Sequence, residues 1–237
     1  MQVHATSDFP PAVVVDPDSL KRLWLHVEEY TGQAEATARC SDDIVRKFDS
    51  IESLLSFENA PRTKIKWLEI EGRSRERERT IGITIGRQYS VPASLIVRGE
   101  ELDVSTMRTK VSDTIYGMKA WYSPVAKVDL VSVWGAIFFV LALLFQLMAP
   151  TEPLSRPSRS FVEALKLLPQ VAGVLSGIAL VIFATTRLRS RFFPLVSFAT
   201  GQGVRRHQID EQVRWTVLVG FLVGLAGSIA YAALSGT

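Results

Sequence analysis

The chain has 237 residues, 47% of them hydrophobic and 22% charged, with a net charge of +3. Residues 1–128 hold 18 Lys/Arg against 19 Asp/Glu, and residues 129–237 hold 9 against 5, so the positive excess sits in the second half. The single cysteine, Cys40, excludes a disulfide scaffold, the apolar content excludes a disordered chain, and the slightly acidic first half argues against a nucleic-acid partner.

Residues 1–15 lack a basic n-region and an apolar core, and Phe9-Pro10-Pro11 interrupts them. They read as a flexible N-terminal tail, which includes His4, and not as a signal peptide. Asp16-Pro17 predicts a helix N-cap followed by proline in the first turn. Leu20, Leu23, Trp24, Val27 and Tyr30 follow at helical spacing, up to Gly32 as a stop. Residues 35–40 alternate, with Ala36, Ala38 and Cys40 on one face, and 44–48 return as a second strand after a turn at Ser41-Asp42-Asp43. Asp49, with Glu52 three residues on, is a capping-box variant opening a short helix, and Asn59-Ala60-Pro61 is a loop. Strands follow at 65–70, with a phase slip at Trp67-Leu68 that suits a bulge, at 80–86 and at 91–97. Residues 71–79 alternate in charge sign, as at a solvated hairpin tip or, alternatively, a partner-docking site. A helix at 101–118 carries the stripe Val104, Met107, Val111, Ile115 and Met118. Residues 16–127 therefore predict a cytosolic α+β domain, an antiparallel sheet with helices on one face.

Residues 128–237 predict an all-α membrane domain. Stretches at about 130–151, 167–186 and 215–237 contain no ionisable side chain and are long enough to cross a bilayer as three transmembrane helices. Pro169 falls in a first turn, where proline is tolerated. The expected loop 187–214 is arginine-rich, with Arg187, Arg189, Arg191, Arg205, Arg206 and Arg214, whereas the segment between the first two spans holds Arg156, Arg159 and Lys166. The positive-inside rule places that loop and the N-terminal domain in the cytoplasm and the C-terminus outside, as in a multi-pass protein of the inner (cytoplasmic) membrane.

Small residues recur every four positions at Gly173 and Gly177, and at Gly220, Gly224, Ser228 and Ala232. This spacing lets helix backbones approach, either between the second and third spans or between copies of the chain in a homo-oligomer. Trp121, Tyr122 and Trp215 are expected as interfacial anchors, with Phe192, Phe193 and Phe198 dipping toward lipid and the six arginines meeting anionic headgroups of the bilayer. Gly201 and Gly203 suggest a weaker alternative, a turn whose amides hold a phosphate. Arg206 with Asp210, or His207 with Glu211, would be i,i+4 pairs if the third helix begins below the membrane.

Catalytic signals are sparse. The histidines His4, His26 and His207 lack metal-ligand spacing, and no Walker A, GxSxG or HExxH occurs. Asp42-Asp43 and Glu100-Glu101 read as turn and helix-start charges, and Cys40 as a small core residue. No catalytic residue, metal or cofactor is assigned. Within the spans Ser132, Gln146, Gln170 and Ser176 are the polar candidates, and without an ionisable group no proton relay is visible. The expected function is non-enzymatic: a cytosolic sensor or interaction domain, taking a protein or small-molecule ligand, coupled to an oligomerising membrane region, in its sharper form a pore-forming or channel-like effector. The alternatives are a passive membrane-anchoring subunit or scaffold, and a membrane-bound enzyme completed by partner residues.

Overall fold

The computed structural model describes residues 2–75, 78–86, 91–148 and 161–235. Arg156 and Arg159, Glu76 and Arg77 of the charged tip, and the side chains of Gln146, Lys166 and Gln170 lie outside the described residues. The elements in chain order are β1 (Gln2–Phe9), β2 (Val13–Val15), α1 (Pro17–Thr31), β3 (Glu35–Cys40), β4 (Val45–Phe48), α2 (Ile51–Ser56), β5 (Ile65–Arg73), β6 (Thr80–Ile85), β7 (Ala93–Glu100), α3 (Glu101–Gly117), α4 (Ser123–Lys127), α5 (Leu130–Met148), α6 (Phe161–Phe192), β8 (Val196–Phe198) and α7 (Gly203–Ser235). Two compact units result: Met1–Pro124 with Pro194–Thr237, and Val125–Phe193. The division differs from the boundary expected at 127/128, because the chain returns to the first unit before α7 begins.

The first unit is an α+β domain with a six-stranded antiparallel sheet in the order β1-β7-β6-β5-β3-β4. Helices α1 and α3 cover one face. Local chemistry sets α1. The Asp16 Oδ1 accepts hydrogen bonds from the amides of Asp18 and Ser19, both at 2.9 Å, Pro17 opens the first turn, and Gly32 at φ +80° closes it by donating to the Glu28 carbonyl. Leu20, Leu23, Trp24, Val27 and Tyr30 are buried against the sheet's inward residues, among them Ala36, Ala38, Cys40, Leu68, Ile70, Ile81, Ile83, Ile85, Leu95 and Val97. The expected stripe of α3 is buried too. A side chain at Gly72 of β5 would run into Thr31 Oγ1 and Val27 Cγ1, so this glycine lets α1 lie close on the sheet.

Residues 2–9 are not a flexible tail: they form β1, the edge strand paired along β7 from Gln2↔Glu100 to Phe9↔Ala93, with Val3, Ala5 and Phe9 turned to the core. The cap of α2 is Ser50, whose Oγ accepts from the Ser53 amide at 3.2 Å, because Ser50 and not Asp49 stands directly before the first helical residue. The bulge lies at Lys66: Arg39 pairs with Trp67 and Cys40 with Ile65, leaving Lys66 as the extra residue. Strand β7 starts at Ala93, after Pro92, and runs into α3 without a loop.

The second unit contains α4, α5 and α6. Asp129 caps α5, accepting from the Val131 amide at 3.1 Å and the Ser132 hydroxyl at 2.6 Å. Trp134 Nε1 donates to Thr185 Oγ1 at 3.1 Å, and Arg189 donates to the Val128 carbonyl, tying α5 to the end of α6.

Among the described residues one helix, α7, is long and apolar enough to cross a membrane, where three spans were expected; the apolar stretch described for α5, Leu130–Leu141, is shorter. Its 33 residues reach about 50 Å, more than a hydrocarbon core of about 30 Å, so charged residues at its base fit outside the bilayer. The expected loop 187–214 is mostly ordered backbone: α6 runs on through Arg191 to Phe192, where cations suit a helix C-terminus, and α7 starts at Gly203.

Replacing Gly72 by alanine should lower domain stability by about 1–3 kcal/mol, through the forced separation of α1 from β5. A urea midpoint equal to that of the unaltered protein would contradict this packing.

Candidate functional site at the seam that holds the helical insert

Val13, Val14 and Val15 are β-branched and favour extended backbone. They form a short strand bonded along both edges. On one edge the Val14 amide donates to the Met118 carbonyl at 2.9 Å, the Ala120 amide to the Ala12 carbonyl at 2.8 Å, and the Ala12 amide to the Ser123 hydroxyl at 2.9 Å. On the other, β2 and β8 run parallel, with the Val13 amide donating to the Leu195 carbonyl and the Ala199 amide to the Val15 carbonyl, both at 2.9 Å. The chain thus leaves toward α5 and α6 along one side of β2 and returns along the other. Ala12, Val13 and Val15 have no exposed surface.

Asn59 locks the return strand. It is fully buried at φ +48°, a conformation asparagine tolerates better than most residues. Its Nδ2 donates to the carbonyls of Phe198 at 3.0 Å and Thr200 at 3.2 Å, and its Oδ1 accepts from the Ile65 amide at 2.9 Å. Arg206 Nη2 donates to the Asn59 carbonyl at 2.7 Å, which ties the first turn of α7 to the same residue. A side chain at Gly203 would run into the Phe198 carbonyl and Asn59 Nδ2. At Gly201, φ +51°, one would meet the Phe57 carbonyl at 2.7 Å. These two glycines serve close backbone packing; the expected phosphate-holding turn is filled by the protein's own groups.

The base of α7 carries a buried cation. The Arg214 guanidinium lies 4.3 Å from the centroid of the Tyr122 ring, within cation–π range, and both side chains are buried. Burial pushes the Tyr122 phenol up, opposed by Arg214. His207 Nε2 lies 3.5 Å from Glu211 Oε2, one of the two i,i+4 pairs expected. Burial, followed by the positive charge of Arg214, pulls His207 below its ordinary value of 6.5, against the pull of Glu211 and Asp210. Trp121 and Trp215 stack at 5.3 Å with an interplanar angle of 25°, both about half exposed.

The expected interface residues therefore separate. Tyr122 and Arg214 are buried against each other and do not reach headgroups, and Phe198 is core, not lipid-facing. Arg206 is engaged by Asn59. Arg187 and Arg205 are exposed, Arg191 lies 5.9 Å from the Phe192 ring, and Phe192 and Phe193 are half-buried. At Gly173, Gly177, Gly220 and Gly224 an added Cβ would meet nothing within 4 Å among the described residues, and Ser228 and Ala232 are exposed; the Ser228 hydroxyl donates to the Gly224 carbonyl at 2.9 Å. Among the described residues no group of three or more His, Cys, Asp or Glu side chains is gathered as a metal site would need. Neither a protein-family model, nor a curated protein, nor a solved structure matches this chain.

The sequence pattern did not anticipate the buried role of Asn59, the edge strand β1 or the two strands of the seam, β2 and β8. The signals were present as the period-two pattern Val3, Ala5, Phe9 and the β-branched run at Val13–Val15.

Asn59→Ala leaves the Ile65 amide and the Phe198 carbonyl without that partner in a buried setting, and should destabilise the domain by about 2–4 kcal/mol. Proteolysis within 194–202 should accelerate in step; unchanged cleavage would show that Asn59 does not hold the return strand.

His207 is neutral when buried and binds a proton more readily once released, so its contribution to stability is lost as pH falls through 6.5 toward its lower folded value. Acid unfolding of His207→Gln should show a shallower slope in that window than the unaltered protein. Superimposable curves would contradict burial of the imidazole.

Proposed function

We propose that this chain is a non-enzymatic integral membrane protein in which a cytosolic α+β sensor or interaction domain acts on an oligomerising set of three crossing helices. The observation carrying the proposal is the seam. Both ends of the segment bearing α5 and α6 are hydrogen-bonded to one buried strand, and the return strand leads directly into α7. A change in the domain that alters the seam therefore acts on backbone at both ends of the insert and at the base of α7.

Three crossings are supported by helical backbone over 130–148 and 161–192 together with the uncharged sequence of 130–151 and 167–186. With the arginine-rich base of α7 inside, the domain is cytoplasmic, the C-terminus lies outside, and Arg187 and Arg205 face anionic headgroups. The open faces at Gly173 and Gly177, and at Gly220 and Gly224, are available to a second copy of the chain, so the helices assemble between chains and, in the sharper form of the proposal, form a pore.

Single cysteines introduced at Lys21, Arg156, Arg205 and Ser235 in a Cys40→Ala background test the topology on sealed vesicles. Positions 21 and 205 should label from one side and 156 and 235 from the other; labelling of 156 together with 21 would reduce the anchor to one crossing. The detergent-solubilised particle should be a defined homo-oligomer, converted to monomer by Gly220→Leu with Gly224→Leu. A monomeric starting particle would sink oligomerisation and leave the passive anchoring subunit.

A further inference from the structure

A groove of about 670 Å³ opens at the bulged end of the sheet, and it belongs entirely to the first unit. Its geometry follows from the backbone. The bulge puts Lys66 and Trp67 side by side on the wall, opposite Arg39 of β3. Gly86 ends β6 at φ +99°, and a side chain there would strike the Lys66 carbonyl and come within 3.0 Å of Trp67 Cα. Only glycine lets the two backbones close up behind the bulge.

The lining combines two chemistries. Among the described residues the lining holds three cations, Arg39, Lys64 and Lys66, and one carboxylate, Asp43, which lies 3.8 Å from Arg39 Nη2 and 3.9 Å from Lys66 Nζ. These are long contacts between exposed groups, which an incoming anion displaces at small cost. The surplus of positive charge is local, since residues 1–128 as a whole are slightly acidic. The second chemistry is apolar: the partly buried Trp67, with Ile65, Val45 and Val196, also lines the groove. A bare anion would use the cations and leave the indole idle, and an apolar ligand would make no use of the cations. A flat ring joined to phosphate uses both, and the volume falls in the range of about 300–1,000 Å³ usual for small-ligand sites.

We infer that this groove is a binding site for a nucleoside phosphate, its base against Trp67 and its phosphates among Arg39, Lys64 and Lys66. Val196, the first residue of β8, forms part of the wall. The bound ligand thus touches the return strand of the seam and is the signal read by the sensor domain; this role rests on the proposed function, whereas binding does not.

Calorimetry on the detergent-solubilised full chain, with ATP and GTP as probes, tests the site. At least one should bind saturably below about 1 mM, while adenosine or guanosine, lacking phosphate, and inorganic pyrophosphate, lacking the ring, should each bind at least roughly tenfold more weakly. Lys66→Glu, Trp67→Ala and the milder Trp67→Leu should each weaken binding by roughly tenfold or more, whereas Lys21→Glu, the same charge change on exposed α1, should not. Circular-dichroism melting of each variant confirms folding, and the exposed Lys66 position keeps the test decisive if the tryptophan variants fail to fold. No binding of either nucleotide, pyrophosphate binding as tightly as the nucleotides, or indifference to Lys66→Glu would each overturn the inference. Those results leave vesicle topology and particle mass untouched, so failure of the groove and failure of the membrane reading are distinguishable.

Discussion

A three-residue strand bonded on both edges is the constraint on which this molecule depends. Alone, a parallel pair as short as β2 with β8 has little to hold it, because few hydrogen bonds must offset the ordering of two segments nearly two hundred residues apart. Burial changes the balance. With Ala12, Val13 and Val15 out of contact with water, every amide and carbonyl of the strand left without a partner carries a desolvation cost, so opening one edge is penalised well beyond the loss of a surface hydrogen bond. Asn59 adds to this from the flank: a neutral side chain satisfying two carbonyls and one amide at once acts as a clamp that water inside the core could not replace. The outgoing and returning chains are consequently fixed relative to the sheet, and no flexible linker separates the α+β domain from the chain that enters α7.

The base of α7 meets a related constraint by different means. Burying the Arg214 guanidinium carries a desolvation cost that the groups around it must offset. The face of Tyr122 is one compensation. The apolar run of α7 begins at the next residue, Trp215, whose indole stacks on Trp121. Polar anchoring below and apolar helix above therefore meet within one turn, which fixes the height of α7 on the domain. The small residues farther along lie where nothing in the described chain fills the space beside them, so their spacing has no internal packing role at Gly220 and Gly224.

What could be read from the residues divides along the range of the forces involved. Helix α1 was legible because its determinants, Asp16, Pro17 and Gly32, are local, and the inward stripe of α3 because its period is unambiguous. Strands β3 to β7 were expected from their apolar patterns, but β5 and β7 each end three residues beyond their expected limits, at Arg73 and Glu100, and the bulge falls at Lys66. Strand β1 escaped because Pro10-Pro11 suggested a boundary with nothing structured before it, while its stabilisation comes from β7, some ninety residues later. Strands β2 and β8 are too short to show a period, and each exists only because the other is there. Tyr122 and Arg214 were misplaced for a similar reason: aromatic and basic residues at the edge of an apolar run look the same whether lipid headgroups or each other are their partners. Composition places such residues at a boundary, and only the tertiary contact says on which side.

The groove and the seam share a wall, and this sets what a ligand can accomplish. A ligand shifts a conformational equilibrium only by the difference in its affinity for the two states. Contacts confined to Arg39, Lys66 and Trp67 would be made equally with the seam intact or opened, since β3 and β5 belong to the sheet in either case. Contact with Val196 differs, because that residue keeps its place only while β8 is paired to β2. The coupling available is therefore of the size of a small apolar contact plus whatever strand order it preserves, within the range of about 1–3 kcal/mol typical of coupled sites. That is enough to move a balanced equilibrium by one or two orders of magnitude, and too little to act on one already strongly biased.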